Sequence, residues 1–142
     1  MILLFLLPGT FLHELSHYIV GLVLGAKPVN FSLIPNKKQG SAGHVGFQNI
    51  NFFNAVPVAL APVFGGGLAL FWMYHNFWLN ISDFSLAYQA LGVYLSFAFF
   101  KTMLPSSTDI GIAFSYPLGL VLWGGCLYLS YPFLIQYIQN LV

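Results

Sequence analysis

The sequence predicts an all-α integral membrane protein of about four transmembrane helices, with a small β-hairpin in the first loop. Three observations carry that expectation. Of 142 residues, 58% are hydrophobic and only 5% are charged, whereas a soluble domain carries about 25% charged residues. So few charges cannot cover the surface of a globular protein of this size. The apolar residues fall in long runs, each near or above the roughly 20 that a bilayer span needs. The polar residues gather between those runs, in one long segment and two short breaks.

The first run extends from about Ile2 to Ala26 and is interrupted only by His13, Glu14, Ser16 and His17. It has no positive leading region and outlasts the apolar core of a signal peptide, so it is expected to be a retained span. A polar segment follows, Lys27 to Asn51, which holds three of the four lysines and the turn-forming stretch PNKKQGSAGHVG. Its flanks, VNFSLI and HVGFQNINFF, alternate enough for two short strands. A second span is expected over about Ala55–Leu79. A short loop, Asn80 to Asp83, leads to a third over Phe84–Leu104. The break LPSSTDIG precedes the last apolar stretch, about Ile110–Leu141, which is longer than one span needs. Pro117 or Pro132 is expected to kink or end it. The chain reads as a single domain over 1–142, with no internal repeat.

Charge sets the expected orientation. Lys27, Lys37 and Lys38 lie in the first loop and Lys101 near the end of span three, so with four spans all of them share one side. The positive-inside rule makes that side cytoplasmic and places both termini outside. The near-balance of four basic and three acidic residues offers nothing to nucleic acid. The single cysteine, Cys126, excludes an intrachain disulfide and is expected to be a small buried hydrophobe.

Chemistry concentrates in His13-Glu14-Leu15-Ser16-His17, an HExxH motif. On a helix, histidines four apart project from one face and can both ligate one Zn²⁺. The glutamate beside the first histidine is then placed to take a proton from water at the metal. Glu14 is the only glutamate in the chain, and two of its four histidines flank it. A carboxylate within a span costs about 3 kcal/mol or more and is functional by default. The bland alternative is a polar helix face bonding to its neighbours.

A catalytic zinc wants a third protein ligand and an open position. The remaining acids are Asp83 and Asp109. Asp83 falls on the side expected to be external, whereas the histidines lie toward the inner half of span one. Asp109 follows Pro105-Ser106-Ser107-Thr108 at the inner mouth of span four and can dip to their depth. Irregular backbone inside a membrane is tolerated where it lines a cavity. Zn²⁺, two neutral histidines, Asp109 and Glu14 also sum to zero charge, the least costly arrangement in hydrocarbon. The plainer role for Asp109 is an N-cap of span four, and both roles are compatible.

With these residues in view, the chain resembles the site-2 protease family of intramembrane zinc metalloproteases. The resemblance rests on FLHELSHYIVGLVLGAKP in span one and MLPSSTDIG before span four. It implies His13, His17 and Asp109 as zinc ligands, Glu14 as general base and peptide-bond hydrolysis within the membrane. The common family pattern around the third ligand is close to NxxPxPxxDG. Here the Asn is missing, Asp109 comes one residue sooner after its proline, and Ile110 replaces the glycine, as in a small divergent member. No PDZ or nucleotide-binding regulatory segment is recognisable.

Other residues have simpler expected roles. His44 is expected to be a solvated loop histidine, although it lies on the side of the site. His75 is expected near the outer interface, far from the metal. Gly65-Gly66-Gly67 with Pro62 is expected to let helices approach closely. Asn51 and Asn54 are candidates to hydrogen-bond a substrate strand. The leading expectation is a zinc endopeptidase acting on transmembrane or membrane-adjacent segments of membrane proteins. The alternative is a metal-binding, non-proteolytic subunit of a larger membrane complex.

Overall fold

The computed structural model describes residues 5–33 and 43–139. Helix α1 spans Leu7–Val23, with Pro8 in the first turn, where a missing N–H costs nothing. It ends in a Schellman arrangement. Gly25 takes a left-handed φ of 71°, the Ala26 N–H donates to the Gly21 carbonyl at 2.7 Å, and the Gly25 N–H donates to Leu22 at 3.3 Å. The chain then turns directly into strand β1, Pro28–Ser32, which pairs antiparallel with β2, His44–Phe47. Pro28 faces Phe47 and Val29 faces Gly46, but the ladder is interrupted before Ser32, where Asn30 has a φ of 56°. The expected hairpin strands are therefore present and shorter than their flanking runs suggest. Its turn, residues 34–42 with Lys37 and Lys38, lies outside the described residues.

Helix α2 covers Ala55–Asn76, and a 3₁₀ segment over Trp78–Asp83 takes the place of the expected short loop. Helix α3 spans Leu86–Thr102, α4 Ser107–Phe114 and α5 Pro117–Gln139. The last apolar stretch, expected to be kinked or ended at Pro117 or Pro132, is thus two helices. The break falls at Ser115 and Tyr116, and Pro117, which has no N–H to donate backwards, opens α5. Pro132 stays inside α5. Among the described residues two helices are long and apolar enough to cross a membrane, α2 and the Pro117–Tyr137 part of α5. Helices α1 and α3 have 17 residues each, short of the roughly 20 that a perpendicular span takes.

Helix α1 is polar inside and apolar outside. Its buried residues are Gly9, Thr10, Glu14, Ser16, His17 and Gly21, while Phe11, Ile19, Leu22 and Val23 are exposed. A soluble helix shows the opposite stripe. The inversion suits a chain whose outer solvent is hydrocarbon and whose interior holds the polar chemistry. Small residues let the neighbours close in. A Cβ on Gly9 would collide with the Ala98 carbonyl and Thr102 Oγ1 of α3, and one on Gly65 with Ser16 Oγ. Gly66 is equally tight against Met103, whereas Gly67 faces open space, so two of the three consecutive glycines serve packing.

Helix α4 lies against α2 through Ala113, which packs with Val56 and Ala59 beneath Leu60, Leu120 and Trp123. Beyond Trp123 the described part of α5 is exposed throughout, Cys126 included. The expectation of a buried cysteine fails because, among the described residues, no other helix covers that length of α5. At the other end of the molecule His75 is exposed against the rings of Phe71 and Tyr74, in keeping with an interfacial position.

Candidate metal centre

His13 and His17 rise from the buried face of α1, one turn apart, with ring centroids 4.8 Å from each other. Each ring is held by a backbone carbonyl of a different helix. His13 Nδ1 lies 2.6 Å from the Thr102 oxygen at the end of α3. His17 Nδ1 lies 2.7 Å from the Val58 oxygen in α2. A carbonyl only accepts, so both Nδ1 atoms carry a proton, and in the neutral rings both Nε2 atoms present a lone pair.

Those two lone pairs face each other. The Nε2 atoms stand 3.2 Å apart. The Asp109 carboxylate completes the group, with Oδ1 3.2 Å from His17 Nε2 and Oδ2 3.5 Å from His13 Nε2. With both rings neutral these are three acceptors that repel one another, and a cation at their centre reverses the sign of that interaction. One ligand atom from each of His13, His17 and Asp109 lies within 4.8 Å of the others, so this group could hold a metal ion. All three side chains are at most slightly exposed.

Asp109 reaches this place because of how α4 begins. Ser106 is the N-cap: its hydroxyl accepts the Asp109 N–H at 3.2 Å, while Asp109 Oδ2 accepts the Ser106 N–H at 2.7 Å. This reciprocal capping box holds the carboxylate at the third helical position instead of at the cap itself. The capping role and the place beside the histidines therefore coexist in one side chain, with the cap function transferred to Ser106. The other candidate acid, Asp83, ends the 3₁₀ segment and is exposed, bonded by the Ser82 hydroxyl.

Glu14 is buried, points into the same cavity, and has the chain of Gly43 directly over it. A Cβ at position 43 would lie 2.6 Å from Glu14 Cγ and 2.7 Å from Oε1. The cavity has a volume of about 360 Å³ and an opening to the outside. Besides His13, Glu14, His17 and Asp109, its walls include Thr10, Val58, Thr102 and the start of β2.

Two expectations change here. His44, expected as a solvated loop histidine on the side of the site, begins β2 and lines this cavity while staying largely exposed. Its pairing to β1, which packs beside α1, brings it there. Asn54, a candidate substrate contact, is fully buried and fully occupied. Its Oδ1 accepts the Asn51 N–H at 2.9 Å and its Nδ2 donates to the Asn49 carbonyl at 2.9 Å. Asn51 Oδ1 in turn accepts from the Phe53 and Asn54 N–H groups. Asn54 thus braces the start of α2 and has no capacity left over for a strand of substrate, while Asn51 commits its Oδ1 to the same turn. The orienting carbonyls of Thr102 and Val58 and the cover over Glu14 from Gly43 were not legible in the motif. They are backbone features, and no side-chain pattern announces them. The comparisons bring no relative to set beside this geometry: no family model, curated protein or solved structure matches the chain.

Proposed function

We propose that the chain is an intramembrane zinc metalloprotease, an endopeptidase that cuts membrane proteins in or near their transmembrane segments. One observation carries the reading. Two imidazole nitrogens and a carboxylate converge in a cavity that also holds a buried glutamate. Imidazole and carboxylate donors suit Zn²⁺. Tetrahedral ligands at about 2.0–2.2 Å from zinc stand roughly 3.3–3.6 Å from one another. The separations of 3.2–3.5 Å in this group are close to that range. The resemblance of FLHELSHYIVG and LPSSTDIG to the site-2 protease family points the same way.

In this reading His13, His17 and Asp109 hold the ion. Zinc supplies Lewis-acid polarisation of the scissile carbonyl and of the attacking water. Glu14 accepts a proton from that water and returns it to the amide nitrogen as the C–N bond breaks, leaving a carboxylate and an amine. A helical substrate hides its amides and must unwind to be cut; the sheet edge beside the cavity offers main-chain groups to an extended segment. Four membrane crossings are part of the same proposal, with α1 and α3 joining the two longer helices and with the eight-residue α4 too short to cross. The hairpin then faces the cytoplasm and both ends of the sequence face out, since all four lysines share one side.

Glu14→Gln tests the mechanism because it keeps the shape and removes the base. Purified in detergent and given a panel of single-span substrates, the wild type should release fragments cut within or near the span. Glu14→Gln should bind zinc equally and cleave about 10²–10⁴-fold more slowly. Equal cleavage by the two proteins would remove Glu14 from the chemistry. No cleavage by either, with zinc bound, would favour the second reading, a metal-binding subunit of a larger membrane complex.

A further inference from the structure

The carbonyl that orients His17 belongs to the interior of a helix, where such oxygens are normally taken. In an α-helix the oxygen of residue i accepts the N–H of residue i+4. For Val58 that residue is Pro62, buried within α2 and without an N–H to donate. A proline inside a helix costs about 3 kcal/mol or more in isolation, because it leaves a carbonyl without its partner. Here the partner is supplied from another helix: His17 Nδ1 sits 2.7 Å from that oxygen. A second carbonyl shows the same logic. Thr102 closes α3, its i+3 neighbour is Pro105, and the N–H of its i+4 neighbour Ser106 is donated to Asp109 Oδ2. The oxygen of Thr102 is thereby left to His13 Nδ1 at 2.6 Å. Both histidines are oriented by carbonyls whose helical donors have been removed or diverted.

We propose that Pro62 is a positioning residue of the metal site: by withholding an N–H from the Val58 carbonyl, it reserves that oxygen for His17 Nδ1 and directs the Nε2 lone pair at the ion. The inference rests on the zinc reading above. It assigns the proline a role that helix kinking alone does not require. An N–H restored at position 62 would compete for the Val58 oxygen, weaken the bond to His17 and free the ring to turn or change tautomer. Outer partners of this kind are typically worth about 10–100-fold in metal affinity.

The test separates the N–H from the ring. Pro62→Ala restores the donor. The same position carrying the α-hydroxy analogue of alanine, introduced by nonsense suppression, has the alanine side chain and a backbone ester oxygen where the N–H would be. Zinc affinity is measured for the full chain in detergent by competition with a chromophoric chelator. Co²⁺ spectra report the ligand field, and circular dichroism checks the helix. Pro62→Ala should bind zinc about 10–100-fold more weakly and shift the Co²⁺ bands. The ester should return to within about threefold of the wild type, below the smallest outer-partner effect expected. Equal affinities for the alanine and ester proteins, whether both weak or both normal, would overturn the proposal, since the N–H would then not matter. If Pro62→Ala fails to fold, ¹⁵N spectra of histidine-labelled wild type decide: His17 must carry its proton on Nδ1, and a proton on Nε2 in the metal-free protein overturns the assignment. Wild type that binds no zinc or cobalt sinks the zinc reading and this inference together, whereas normal binding with indifferent variants sinks the inference alone.

Discussion

His13 Nε2 and His17 Nε2 face each other at 3.2 Å, each with its other nitrogen committed to a main-chain carbonyl. Two lone pairs so placed, with a carboxylate beside them, form a ready-made cation site held by three helices and the start of a fourth. The histidines come from α1, their orienting oxygens from α2 and α3, and the carboxylate from the capping box of α4. A movement of any of these helices is therefore felt at this site.

Removal of Asp109 should empty the site. The wild type is expected to hold one zinc per chain, and Asp109→Ala leaves two ligands and an opened capping box. Its zinc affinity should fall by more than the about 10–100-fold that loss of an outer partner costs. Elemental analysis after dialysis measures this. Zinc retained at full stoichiometry and wild-type affinity would exclude Asp109 as a ligand.

Gly43→Ala should separate the glutamate from the metal. The new Cβ would stand 2.6 Å from Glu14 Cγ, and the flexible carboxylate is the group that gives way. Zinc content should stay at the wild-type level while kcat falls at least about 10-fold, a part of the 10²–10⁴ a general base contributes. Unchanged kcat would mean that the strand retreats and Glu14 keeps its place.

Asn54→Ala should destabilise the junction between the sheet and α2. It strips partners from the Asn51 N–H and the Asn49 carbonyl in a fully buried position. Buried groups left unsatisfied cost about 1–3 kcal/mol each. Thermal or SDS unfolding should show a loss of that order, with zinc binding retained by the folded fraction. A variant as stable as the wild type would show that water replaces the side chain without loss.

Labelling fixes the sidedness. In a Cys126→Ser background, Lys38→Cys should react with a membrane-impermeant maleimide only after the cytoplasmic face is opened to the reagent. Labelling from the outside alone would reverse the proposed orientation and leave the metal site as it is.

The amino-acid sequence by itself determined the inventory and the local rules. Histidines four apart on a helix must share a face, Pro117 must start a helix or break one, and Gly25 permits the left-handed turn that ends α1. The scarcity of charge pointed to an apolar surround, and the isolation of Glu14 among apolar residues pointed to the candidate site. These are short-range consequences of backbone geometry and composition. The tertiary structure decided what depends on distance. Asp109 is 92 positions from His17 in the sequence, yet its carboxylate lies 3.2 Å from that ring. The proline at 62 advertises an open carbonyl four residues earlier, but only the packing of α1 on α2 shows which donor takes it. Likewise nothing in Asn54 distinguishes a substrate contact from a buried brace, and nothing in His44 distinguishes a loop residue from a cavity wall. Hydrogen bonds between side chains and main-chain carbonyls of other helices have no periodic signature, because the acceptor is the same atom in every residue. Its availability is set by the fold.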